Sequence, residues 1–143
     1  MRVLVGCEFS AVVRDAFAAR GHDAWSCDRL PSERGGNHIQ DDVMNHLEGW
    51  DLLILHPPCT KIGLCGNRWY GEGAPRHHER IAALDWTEAL WRRAIAMCSR
   101  VALEQPRSTL CQRIGTRTQE IQPWQFGHTE QKATWLWLHA TSP

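Results

Sequence analysis

Short apolar runs and stretches of helical periodicity alternate along the first half of the chain. Residues 2–7 form an apolar run with β-branched side chains, which predicts a strand. A helix is predicted from Ser10, a good capping residue, to Gly21, a residue type that often follows a helix end. Residues 22–27 predict a second strand. This strand–helix–strand order is typical of a parallel sheet.

The same alternation continues in the second half. Residues 51–55 predict a strand buried on both faces. A long amphipathic helix is predicted over residues 78–99, and further strands over residues 101–103 and 132–138. The buried stripe of the long helix is predicted to consist of Ile81, Leu84, Trp91, Ile95 and Cys98. The expected fold is one Rossmann-like α/β domain over residues 1–143, with a mostly parallel sheet and helices on both faces.

Composition limits the class of protein and its cellular location, but it does not indicate an activity. Hydrophobic residues make up 43% and charged residues 22% of the 143 positions, which is typical of a globular protein. Sixteen basic residues balance sixteen acidic ones, so the net charge does not indicate nucleic-acid binding, although a local basic cluster around residues 68–80 is compatible with it. No apolar stretch is long enough to cross a membrane, and no secretion signal is recognisable. The six cysteines are scattered, which favours reduced thiols in the cytoplasm.

Polar and reactive residues follow the predicted strands, where a parallel sheet binds its ligands. Asp28 comes about twenty residues after the first strand–helix turn, where a carboxylate accepts hydrogen bonds from a ribose diol; the alternative is a loop residue facing solvent. Asp41 and Asp42 are candidates for contact with an adenine amino group or for capping the next short helix. The first turn has no GxGxxG pattern, which favours a nucleoside ligand without phosphates.

Two further strand ends carry candidate catalytic groups. Cys59 follows two prolines, Pro57 and Pro58, which restrict the backbone and hold the thiol in one place. We interpret Cys59 as a nucleophile rather than an inert buried thiol. Glu104 ends a buried strand, so its carboxylate is expected to be salt-bridged or held ready for proton donation. The cysteine and histidine spacings predict no metal site.

These motifs resemble, in order and spacing, those of the cytosine-C5 DNA methyltransferases. The segments GCEFS, HPPCT and IQPWQFG are similar to short phage-type members that lack a target-recognition domain. The resemblance implies a methyltransferase domain that uses S-adenosylmethionine. The cofactor-binding residues that it implies are Glu8, Phe9, Ser10, Asp28, Asp41, Asp42 and Pro57, and the implied substrate-binding residues are Pro58 and Lys132.

The resemblance also implies a mechanism. The Cys59 thiolate adds to C6 of the pyrimidine, which makes C5 nucleophilic toward the methyl group, and Glu104 supports the addition by hydrogen bonding at N3. The departures from the family pattern are a first motif without glycines, Gln105-Pro106 after Glu104, and a segment at 130–134 that keeps Lys132 as its only basic residue.

The expected partner is DNA, as a single strand or with a partner subunit, and self-association is an open alternative. The expected location is the cytoplasm of a phage-infected or prophage-bearing bacterial cell. The alternative function is a non-catalytic protein of the same fold that binds nucleic acid or a host protein.

Overall fold

The computed structural model describes residues 1–140, which contain a seven-stranded sheet in the order β3-β2-β1-β4-β5-β7-β6. Strands β1 to β5 run parallel, as predicted, while β7 is antiparallel to both of its neighbours, so the sheet is mixed. The strands are β1 (Arg2–Gly6), β2 (Asp23–Asp28), β3 (His38–Gln40), β4 (Leu52–Leu55), β5 (Arg100–Pro106), β6 (Gln119–Ile121) and β7 (Thr134–Ala140). The helices are α1 (Val12–Ala18), α2 (Asn67–Tyr70), α3 (His77–Met97) and α4 (Cys111–Ile114).

Helices cover both faces of the parallel part of the sheet. Val3 and Val5 of β1 point to one face, where they pack with the side of α1 that carries Phe17. Leu4 points to the opposite face and belongs to the larger core that includes Trp91 of α3. Alternate residues of one central strand therefore serve two separate apolar layers, which is why the strands read as continuous apolar runs.

The buried side of α3 is rotated from the predicted stripe. Ile81 is 40% exposed, so its predicted place in the core is wrong. Arg80 is buried instead, because its guanidinium donates to the carbonyls of Lys61 and Gly63 and to the amide oxygen of Asn67. Hydrogen bonds to a neighbouring loop, which no periodicity reveals, decide the orientation of the helix start.

Helix α1 is capped by a different residue from the one predicted. The helix begins at Val12, and the hydrogen bond from the Val12 amide to Ser10 Oγ is long, at 3.4 Å. The buried carboxylate of Glu8 does most of the capping, because it accepts hydrogen bonds from the amides of Val13 (2.8 Å) and Arg14 (3.1 Å). A negative charge at this end satisfies free N–H groups and interacts favourably with the helix dipole.

The last two strands form an antiparallel pair, and the sequence pattern predicted one of the two. The predicted final strand is present as β7, but β6 was not predicted. Because Thr134 at the start of β7 pairs with Pro106 at the end of β5, the connection from β6 to β7 lies at the edge of the sheet formed by the carboxyl ends of the parallel strands. Among residues 1–140, no helix is long and apolar enough to cross a membrane.

Candidate active site

The strand order reverses direction between β1 and β4, which opens a crevice beyond their carboxyl ends. A cavity of about 300 Å³ lies there, which is at the small end of the range for ligand sites. Acidic, apolar and thiol side chains and one arginine line it: Cys7, Cys27, Asp28, Arg29, Asp41, Asp42, Val43, Pro58 and Trp86. The fold thus brings the three predicted acidic residues and one proline of the Pro-Pro-Cys segment to one cavity.

The three carboxylates of this cavity differ in their freedom to bind a ligand. Asp28 accepts one hydrogen bond, from the Leu30 amide at 2.9 Å, and within residues 1–140 its second oxygen accepts none. Asp42 caps a short 3-10 turn through the Met44 amide, as the alternative prediction has it, and pairs with Arg29 at 2.8 Å. Asp28 is therefore the carboxylate best placed to bind a ligand.

Asp41 and Asp42 are held in the ionised form by their neighbours. The hydrogen bond from His46 at 2.8 Å is the main cause that lowers the pKa of Asp41. The pKa of Asp42 is lowered first by the Met44 amide and then by Arg29. Arg29 offsets part of this negative charge, and the remainder favours a ligand that carries positive charge or donates hydrogen bonds.

The two cysteines of the cavity are neutral thiols. Burial, reinforced by the negative charge of nearby aspartates, raises the pKa of both Cys7 and Cys27 to about 12. The nucleophile is a thiolate, so neither residue is suited to that role near neutral pH.

A second cavity of about 290 Å³ lies on the other side of the β1 end and shares Cys7 with the first. Its other lining residues are Glu8, Phe9, Ser10, Val12, Val13 and His56. Glu8, predicted to bind the cofactor, has both carboxylate oxygens committed to the start of α1. Phe9 and Ser10 remain available, since Phe9 is exposed and Ser10 partly exposed.

Cys59 lies on a tightly tethered loop beyond β4, and its thiol is exposed. The carbonyl of Cys59 accepts a hydrogen bond from the Gly63 amide at 2.8 Å. The buried guanidinium of Arg80 donates hydrogen bonds to the carbonyls of Lys61 and Gly63. Pro57 is buried and its carbonyl accepts a hydrogen bond from the Gln105 side chain, while Pro58 is exposed at the first cavity. The loop therefore presents Cys59 to solvent on a fixed backbone.

Glu104 contacts His56, the residue that follows β4. Its Oε2 lies 3.1 Å from Nδ1 of His56, with the two side chains 34% and 27% exposed. Cys59 lies on the loop that follows β4, and Glu104 lies in β5 just beyond its last pair with β4, Leu55 and Leu103. Lys132 is exposed just before β7, at the same edge of the sheet. Cys59, Glu104, Pro57 and Lys132 line neither cavity.

Three residues that shape this site have roles that were not predicted from the sequence: His56, Arg80 and Gln105. A signal existed for Gln105, because alternation along β5 puts it on the buried face with Val101 and Leu103. A polar side chain at such a position is expected to bind a neighbouring backbone group. Arg80 and His56 gave no comparable signal, since their partners come from distant segments.

No protein-family model matches the chain, and no curated protein matches it either. Within residues 1–140, no group of three His, Cys, Asp or Glu side chains is arranged to hold a metal ion.

Proposed function

We propose that this chain is an S-adenosylmethionine-dependent enzyme that methylates C5 of cytosine in DNA through a covalent adduct with Cys59. The observation that carries the proposal is the first cavity, where Asp28 and Pro58 share one lining at the point where the strand order reverses. The order β3-β2-β1-β4-β5 is that of the doubly wound sheets that bind nucleotides at this point. A Rossmann-like methyltransferase fold accounts for both features.

The residues of the two cavities suit this cofactor. The free oxygen of Asp28 is available for a ribose hydroxyl, and Val43, Pro58 and Trp86 offer apolar contacts to a flat ring. The second cavity adjoins the first at Cys7, which gives an elongated ligand room for its non-nucleoside end. When bound, S-adenosylmethionine supplies an electrophilic methyl group on a sulfonium.

The backbone of the first turn is also compatible with the family resemblance. Cys7 and Ala11 have φ values of 61° and 64°, in the left-handed region that glycine adopts most easily. The family has glycines in this segment, whereas this chain has larger residues there. Two residues other than glycine therefore adopt this conformation in the first turn.

Cys59 and Glu104 supply the nucleophile and the proton for the addition step of this chemistry. Addition of Cys59 Sγ to C6 breaks the C5–C6 double bond and leaves C5 electron-rich, while a proton from Glu104 at N3 neutralises the charge that develops on the ring. After methylation, a base removes the C5 proton, the bond between C6 and sulfur breaks, and the thiolate of Cys59 is released. Glu104 then recovers its proton from N3.

The test is incubation with methyl-labelled S-adenosylmethionine and single-stranded DNA that contains 5-fluorocytosine. Fluorine at C5 cannot leave as a proton, so the adduct on Cys59 persists and is identified by mass spectrometry of the digested protein. Absence of an adduct together with absence of cofactor binding in calorimetry would overturn the proposal. An amino-methyltransferase would leave no adduct but would bind the cofactor and label an exocyclic amine.

We expect Asp28→Ala to weaken cofactor binding by about 10- to 150-fold, as loss of a hydrogen bond to a charged group does. The matched control is Asp23→Ala at the opposite end of β2, where an exposed pair with Arg2 contributes little. Calorimetric titration with S-adenosylmethionine measures both variants. Equal affinities of Asp28→Ala and the unmodified protein would show that the cofactor does not use this carboxylate.

The second candidate function, non-catalytic binding of nucleic acid, is favoured by exposed aromatic rings. Trp69 lies in the segment after Cys59, and Trp124 and Phe126 lie in the connection from β6 to β7. Exposed aromatic rings provide stacking surfaces for unpaired bases. Binding of DNA without cofactor binding or an adduct in the trapping experiment would favour this function.

A further inference from the structure

His56 and Glu104 meet because β4 and β5 are parallel neighbours. Leu55 and Leu103 are in register, so the residues that follow them lie side by side at the end of the sheet. The amide of His56 donates to the Gly6 carbonyl at 2.9 Å, which continues the pairing of β4 with β1 and fixes the backbone of His56. The distance of 3.1 Å between Nδ1 and Oε2 is thus set by the sheet rather than by a mobile loop.

The other ring nitrogen of His56 determines where the imidazole carries its proton. Nε2 is buried and has no hydrogen-bond partner within residues 1–140. A proton on Nε2 would leave a buried N–H without an acceptor, and in the imidazolium that group would also be charged. The favoured form is the neutral ring with its proton on Nδ1, which donates to Glu104.

The surrounding titratable groups do not disturb this arrangement. Cys7, from the end of β1, is a neutral thiol because burial raises its pKa to about 12. Glu8, which follows it, accepts hydrogen bonds from Val13, Arg14 and Ser10 through its two oxygens. Cys59 follows His56 on the same loop, and β5 contributes Glu104 itself. Within the described part of the chain, Glu104 is the hydrogen-bond partner of the imidazole.

We propose that His56 is a positioning residue for Glu104: neutral His56 donates from Nδ1 to Oε2 and leaves Oε1 as the oxygen that carries the proton for pyrimidine N3. This inference rests on the proposed function. The proton moves from Oε1 to N3 when the Cys59 thiolate adds to C6, and it returns when the thiolate leaves. His56 does not receive that proton, because its second nitrogen is buried without an acceptor.

Three substitutions of His56 separate positioning by Nδ1 from other roles. The amide nitrogen of Asn lies near the position of Nδ1, whereas that of Gln lies near Nε2. We expect His56→Asn to keep kcat within a few-fold of the unmodified enzyme. His56→Gln and His56→Leu are expected to lower kcat by about 10- to 150-fold.

The dependence of kcat on pH provides a readout that a purely structural role would not move. The limb that reports Glu104 should shift in His56→Leu and His56→Gln and stay in place in His56→Asn. Full activity and an unshifted profile in His56→Leu, or an equal loss in His56→Asn and His56→Leu, would overturn the proposal.

Nitrogen NMR of the histidine rings tests the pair without any activity. The His56 signals are identified by their absence in the spectrum of His56→Asn, and they should report a proton on Nδ1 and none on Nε2 near neutral pH. Glu104→Gln should shift the Nδ1 signal. A proton on Nε2 would overturn the inference whether or not the protein methylates DNA. Absence of both the adduct and cofactor binding, with the expected NMR result, would overturn the proposed function and leave the hydrogen bond from His56 to Glu104 established.

Discussion

Replacement of Cys59 by serine is expected to lower the rate of methyl transfer by at least about 1000-fold and to abolish the adduct with 5-fluorocytosine DNA. The reaction requires a thiolate that adds to C6, and a serine hydroxyl is almost never ionised at neutral pH. Serine differs from cysteine by one atom, so the fixed loop around Gly63 and Arg80 should be preserved. The measurement combines transfer of the labelled methyl group with mass spectrometry of the trapped complex.

The chain offers a matched control for this substitution. Cys65 is also an exposed cysteine of the segment after β4. Its sulfur lies close to Gly63, because a β-carbon built on that glycine would be 3.6 Å from it. Cys65→Ser should keep activity within a few-fold, because Cys65 is not the residue that follows the two prolines. Cys7 and Cys27 cannot replace Cys59, since burial raises the pKa of both thiols to about 12. Loss of the adduct in Cys65→Ser but not in Cys59→Ser would assign the nucleophile to Cys65.

Glu104→Gln is expected to lower kcat by about 100- to 10,000-fold, the range found for loss of a general acid. Glutamine has the shape of glutamate and donates a hydrogen bond, but it cannot transfer a proton to N3. Because Glu104 lines neither cavity, the affinity for S-adenosylmethionine should not change. Single-turnover kinetics and calorimetry measure the two quantities separately.

The control for Glu104 is Glu48→Gln. Glu48 is exposed and precedes β4, so it lies toward the opposite edge of the sheet, away from both cavities. It should retain full activity. If Glu104→Gln is as active as Glu48→Gln, proton donation by Glu104 is excluded. A loss of cofactor affinity equal to the loss of kcat would place Glu104 in the cofactor site instead.

The sequence alone was sufficient to predict most elements of the parallel part of the sheet. Apolar runs such as residues 51–55 become strands because a strand buried on both faces needs apolar side chains at every position. The carboxyl ends of these strands, and hence the neighbourhood of Asp28, Cys59 and Glu104, followed from the rule that parallel strands bind ligands at that edge. The family resemblance and its methyl-transfer chemistry remain predictions for the experiments above.

Only the tertiary structure decided which of these residues are free to act. Glu8 reads in the sequence as a ligand-binding acid, yet it caps α1. Asp42 is likewise committed to capping and to Arg29, while Asp28 keeps a free oxygen. A carboxylate has few lone pairs, and local amides compete with a ligand for them. That competition depends on loop geometry, which residue type and spacing do not encode.

The contact between His56 and Glu104 was also decided by the tertiary structure, because the two residues are far apart in the sequence. The sequence predicted that each residue lies where an apolar run stops; His56 does follow β4, whereas Glu104 lies within β5, which continues to Pro106. The sequence did not determine that the two strands are neighbours, since 48 residues and the whole of α3 separate them. Strand order, the antiparallel β7 and the buried orientation of Arg80 depend on how all layers pack at once. Local periodicity therefore determined the elements, and the joint packing of distant segments determined the site.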